Sequence, residues 1–148
     1  MDELDIKINQ IKKMIKEDIN HPKIRILAQQ ITKGYVTDLG KARAIYNWIR
    51  QNIHYIREEE GLDLYQRPIT TIELGRGDCD DSAALFSSLA GVVGMPVRLK
   101  VIAQDPNLWS HIYPLALTNG HWIVYDAAAP IPMEHEVRYL KSRIFDVY

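Results

Sequence analysis

The apolar residues of this chain change period near its middle, and that change limits the folds it can adopt. Up to Val93 they recur at helical spacing. Leu4, Ile8, Ile11, Ile15 and Ile19 form one stripe, and Leu39, Ala42, Ile45, Tyr46, Ile49 and Ile53 form another. Ala83, Leu85, Phe86, Leu89, Ala90, Val92 and Val93 make a third, ending at Gly94. From Val97 the period shortens to two: Val97-Arg98-Leu99-Lys100-Val101 predicts a strand with one wet side. Leu115-Ala116-Leu117-Thr118 and His121-Trp122-Ile123-Val124-Tyr125 flank Asn119-Gly120, the strongest short hairpin signal. A helical N-terminal half packed on an antiparallel β-sheet is therefore expected, an α+β plan.

Punctuation along the chain supports that division. Asn20-His21-Pro22 ends the first helix, because proline lacks the amide a helix interior requires. A second helix is predicted from Pro22 to Lys33 with Gly34 as its left-handed stop, and Thr37-Asp38 caps a third. The polar stretch from Arg57 to Pro68, with Glu58-Glu59-Glu60, reads as an exposed loop, and Thr70 to Leu74 as one helical turn. At 148 residues, with no repeat or linker, the expectation is a single domain. Within it, N-terminal helices span 1–40, a core about 41–130 and a C-terminal extension 131–148.

Composition excludes several function classes. With 47% apolar and 25% charged residues and a net charge of −1, the chain has an ordinary globular composition and no nucleic-acid footprint. No stretch has the length of a membrane span, and Met1-Asp2-Glu3-Leu4-Asp5 lacks the layout of a signal peptide. A reducing cytoplasm is the expected location, although release by lysis, as from a phage, would leave the same sequence. His21, His54, His121 and His135 show no ligand spacing, so neither a metal nor a cofactor is expected. Asp78, Asp80 and Asp81 resemble no EF-hand, and helix capping accounts for them more simply.

Cys79 is the only cysteine, in Gly75-Arg76-Gly77-Asp78-Cys79-Asp80-Asp81. It can form neither an internal disulfide nor a cysteine-based zinc site, which leaves nucleophilic chemistry or a packed structural thiol. His111 and Asp126 follow in the order base and base-orienting carboxylate. If Asn119-Gly120 is a two-residue turn, Tyr113 faces Asp126, and His111 lies diagonally on the same face. Such neighbours have Cα atoms about 7–8 Å apart, within reach of an imidazole and a carboxylate. Cys79 falls near the first turn of its helix, with Asp78 as cap and Ala83, Phe86, Ala90 and Val93 as the buried stripe. The helix terminus favours a thiolate and offers amides to an oxyanion. The three neighbouring acids oppose ionisation of the thiol, so activation depends on His111.

These elements resemble the transglutaminase-like superfamily. The resemblance runs from Ala42-Arg43-Ala44-Ile45-Tyr46-Asn47-Trp48-Ile49 and Asn52-Ile53-His54-Tyr55, through Gly77-Asp78-Cys79-Asp80-Asp81-Ser82-Ala83-Ala84-Leu85 and Gly94-Met95-Pro96-Val97-Arg98, to His111 and Trp122-Ile123-Val124-Tyr125-Asp126. It implies a papain-like core with Cys79 as nucleophile, His111 as base and Asp126 as its orienter. Tyr55 falls near where some members place an aromatic oxyanion donor. The chain lacks the calcium loops and flanking β domains of animal crosslinking enzymes, which favours a compact protease-like relative.

The expected function is thus a cysteine hydrolase or acyltransferase acting on an amide of a peptide or protein. The alternative is a catalytically weak binding or assembly module with the same fold. Amine acetyl transfer is a third reading, with no recognisable provision for a coenzyme A phosphate. Trp109, in the loop before His111, either lines the mouth of a cleft or is an ordinary packed aromatic.

Overall fold

The computed structural model describes residues 1–57 and 66–148; most of the polar loop expected after Arg57 lies outside the described residues. Asp2 opens α1 (Glu3–Asp18) with a reciprocal capping box to Asp5. Pro22 starts α2 (Pro22–Thr32), where the His21 ring accepts the Lys23 amide at 3.1 Å, and Gly34 turns the chain at φ +89°. The Thr37 hydroxyl caps α3 (Asp38–Asn52) by accepting the Gly40 amide at 3.1 Å. α4 (Pro68–Leu74) is longer than the single turn expected, because Pro68 supplies a ready first-turn residue upstream of Thr70. It ends at Gly75, φ +68°. Two-residue strands β1 (His54–Tyr55) and β2 (Arg76–Gly77) pair in parallel just before α5 (Cys79–Val92).

The remaining strands are β3 (Val97–Ala103), β4 (His111–Thr118), β5 (His121–Val124) and β6 (Lys141–Asp146). They form one sheet in the order β5-β4-β3-β6, with every pair antiparallel. Asn119 and Gly120 both have positive φ, +51° and +77°, and Thr118 pairs with His121 as the two-residue turn requires. β6 was not signalled by alternation. Its charged residues Lys141 and Arg143 stand where an apolar pattern would have marked a strand.

Two sequence expectations change in the folded chain. α5 is not amphipathic: every residue from Asp80 to Ala90 is buried, because all four other helices and β3 and β4 pack around it. β3 has no wet side. It lies between β4 and β6, and the far face, where Lys100 is only 7% exposed, is covered by the chain that follows β5. Val137 joins a small apolar cluster there with Ile102, Tyr113, Leu115 and Val124. The main core lies on the other face, between the helices and Leu99, Val101, Ile112 and Ala116.

Candidate active site

The start of α5 is held by its own acids. The Asp78 carboxylate accepts the Asp81 amide at 3.0 Å, and that of Asp81 accepts the Asp78 amide at 3.0 Å and the Gln66 amide at 3.2 Å. Burial, opposed by these amides, pushes Asp81 up to about 7. Asp78 and Asp81 therefore do the capping expected of them. Asp80 has a different place: its Oδ1 is 3.8 Å from Cys79 Sγ, and its Oδ2 is 3.0 Å from Lys7 Nζ on α1. Burial pushes the Cys79 thiol well above its ordinary range, and the charge of Asp80 adds to that. The Ile112 amide and Lys7 draw it back.

The hairpin provides the second half of the site. β5 pairs with β4 only from Leu115 onward, and the ladder closes with the Tyr125 amide on the Pro114 carbonyl at 3.1 Å. The first residues of β4 therefore have a free edge, which the N-terminal end of α5 reaches. Past the ladder, Asp126 bends back so that its Oδ2 lies 2.6 Å from His111 Nε2. Its Oδ1 accepts the Ala128 and Ala129 amides at 3.3 and 3.2 Å. Arg50 of α3 secures this turn by donating to the carbonyls of Ala127 and Ala129. With Nε2 engaged and Asp126 only 3% exposed, the ring nitrogen left to the cleft is Nδ1. Cys79, Asp80 and His111 line one cleft of about 710 Å³.

Of the other predicted residues, Trp109 lines this cleft, whereas Tyr55 lines a neighbouring pocket with Arg50 and Ala127. Tyr55 pairs with Gly77, two residues before Cys79, so the short parallel ladder holds its backbone close to the start of α5. Burial raises the Tyr55 pKa first, and negative charge at Cys79, Asp78 and Asp126 raises it further. Trp109 is half-buried, packs on the core and lines the cleft, with Lys141 Nζ 4.7 Å from its ring centroid. It is both a packed aromatic and a cleft residue. His54, His121 and His135 are exposed, and His21 caps α2.

The match to a family model covers residues 25–127 and is to the transglutaminase-like superfamily. The chain belongs to that superfamily. No curated protein matches the chain. Among solved structures, a candidate cysteine protease from Cytophaga hutchinsonii is 25% identical, with a TM-score of 0.62 over 83% of this chain and 46% of its own. A candidate protease from Parabacteroides distasonis, 12% identical, superposes with a TM-score of 0.70 over 93% of this chain and 28% of its own. LapG of Legionella pneumophila, 19% identical, gives a TM-score of 0.50 over 76% of this chain and 73% of its own. This transglutaminase-like chain thus spans less than half of the first two structures. The last two likenesses are likenesses of fold.

Three contributors to the candidate site carry no signal in the sequence. Arg50 holds the turn that carries Asp126, Lys7 meets Asp80 from α1, and Glu136 accepts from both Lys100 (2.7 Å) and the Tyr113 hydroxyl. Tyr113 in turn stacks obliquely on His111, with ring centroids 5.4 Å apart. All three are ordinary surface-type residues in sequence, and only long-range contacts give them a role. Among the described residues no cluster of three or more His, Cys, Asp or Glu could hold a metal ion, and no helix is long and apolar enough to cross a membrane.

Proposed function

We propose that this transglutaminase-like chain is a cysteine-nucleophile hydrolase or acyltransferase acting on an amide bond of a peptide or protein. One observation carries the reading: Cys79 and His111 share a cleft, while Nε2 of His111 is tied to the buried Asp126 at 2.6 Å. His111 Nδ1 takes the thiol proton as Sγ attacks the carbonyl carbon, giving a tetrahedral oxyanion. Amides at the start of α5 receive that oxyanion, with the Tyr55 hydroxyl as a further donor. The imidazolium then protonates the amine as the C–N bond breaks, leaving a thioester on Cys79. Water or a second amine attacks the thioester, gives its proton to His111 and releases the acyl group. Asp126 keeps the imidazole oriented and stabilises its charged form.

The raised thiol pKa favours a second reading, a binding or assembly module with little turnover. Iodoacetamide labelling across pH separates the two. Rapid labelling of Cys79 near pH 6 that disappears in His111→Ala supports an activated pair. Labelling that rises only above about pH 8, the region of an unperturbed thiol, excludes the enzyme.

A further inference from the structure

We infer that the cleft beside Cys79 carries a subsite for a large aliphatic or aromatic side chain of the peptide substrate, formed by Ile6 of α1 and by Leu108 and Trp109 of the β3–β4 loop. The inference rests on the proposed cysteine chemistry and adds a substrate class to it. Ile6 is 51% exposed and Leu108 62% exposed, yet both line the same cleft as the thiol. Scattered exposed aliphatics are ordinary, but aliphatics from segments far apart in sequence, converging in a cleft beside a thiol, mark a binding surface. Trp109 supplies the wall between them and the core, its ring held by Lys141.

The subsite is built before substrate arrives. The Asp105 carbonyl accepts the Leu108 amide at 3.2 Å, and the Asp105 carboxylate accepts the Asn107 amide at 2.9 Å, so the loop tip that presents Leu108 is fixed. A cleft of about 710 Å³ falls within the roughly 300–1,000 Å³ of ligand pockets. It has room for a bulky side chain together with flanking backbone. The charges around the cleft balance, Glu3 and Asp80 against Lys7 and the Lys141 ammonium over the Trp109 ring, so the apolar side chains set the preference.

The test is digestion of a random peptide mixture by the full chain with hydroxylamine present, which captures the acyl group whether water or an amine is the natural acceptor. Products are sequenced by mass spectrometry. Leu, Ile, Phe, Tyr or Trp within two residues of the reacting carbonyl should be enriched roughly tenfold over Gly, the discrimination a hydrophobic pocket provides. Ile6→Asp and Leu108→Asp should each pull that ratio toward one and raise the share of Lys and Arg. Ratios within one digestion do not depend on how much of a variant folds. A flat or acidic preference, or one that neither variant alters, overturns the subsite and leaves the cysteine chemistry standing. Absence of any product overturns both.

Discussion

At the scale of single residues, the chemistry turns on what surrounds Cys79. Burial comes first in raising its pKa and Asp80 second. Asp80→Asn removes a negative charge beside Sγ and so lowers the pKa. Iodoacetamide labelling at pH 7 should accelerate, roughly tenfold for each pKa unit recovered; an unchanged rate would mean that burial alone restrains the thiol. Asp126→Asn tests the other end of the chain of groups. Its side-chain oxygen can still accept the Ala128 and Ala129 amides. Its amide, however, would donate to His111 Nε2 and force the ring proton onto Nδ1, which then cannot take the thiol proton. In the proposed reaction kcat should fall on the order of 10³–10⁴-fold while the circular dichroism spectrum stays that of the parent. Retained activity would remove Asp126 from the mechanism.

At the scale of elements, two glycines separate two kinds of constraint. Gly120 sits at φ +77°, and a methyl group added there would meet no atom within 4 Å, so Gly120→Ala costs backbone strain alone. About 1 kcal/mol of stability should be lost in urea denaturation. Gly77 has an unexceptional backbone, but a Cβ there would come 2.7 Å from Asp81 Cβ, at the cap that starts α5. That contact cannot be relieved by a flexible tip, so Gly77→Ala should cost more than Gly120→Ala. The reverse order would show that the β2–α5 junction yields easily. Hairpin and junction are the elements that bring His111 and Cys79 to one cleft, one through turn geometry and the other through close packing.

At the scale of the whole molecule, the segment after β5 acts as part of the fold. Glu136 sits against Lys100, whose side chain is 9% exposed, and Tyr139 adds a bond at 2.9 Å. Glu136→Gln removes the charge that compensates a buried ammonium and should destabilise by about 2–3 kcal/mol. Lys100→Met in the same chain should restore most of that loss, since the isolated charge is gone. Failure of the second substitution to rescue would mean that Glu136 acts through Tyr113 instead. Alkaline stability is also a property of the whole. Burial raises Cys79 above its ordinary 9.0, and Tyr113, Tyr125 and Tyr148 above 10.0. Above those ordinary values the unfolded chain releases protons that the folded chain retains, so stability falls as pH rises. The melting temperature should drop steeply above about pH 9–10, and a flat profile to pH 11 would contradict the burial of these groups.

Local signals in the sequence determined much of this architecture. Asp2, Pro22, Thr37 and Asp78 start helices because capping and proline geometry act within a few residues. Asn119-Gly120 set the hairpin register from Thr118–His121 to Leu115–Val124 by local turn geometry; the expected Tyr113–Asp126 facing pair lies beyond that ladder, and Asp126 reaches His111 by bending back past it. The alignment of Cys79 with the start of its helix was legible for the same reason. What tertiary structure alone decided involves contacts between segments far apart in the chain. The burial of α5 on all sides, the covering of Lys100, β6 at the sheet edge and the Lys7–Asp80 pair beside the thiol are of this kind. A periodicity reports which side of an element is apolar, but not how many neighbours will cover its polar side. A charged residue carries no mark of the partner that burial will bring to it.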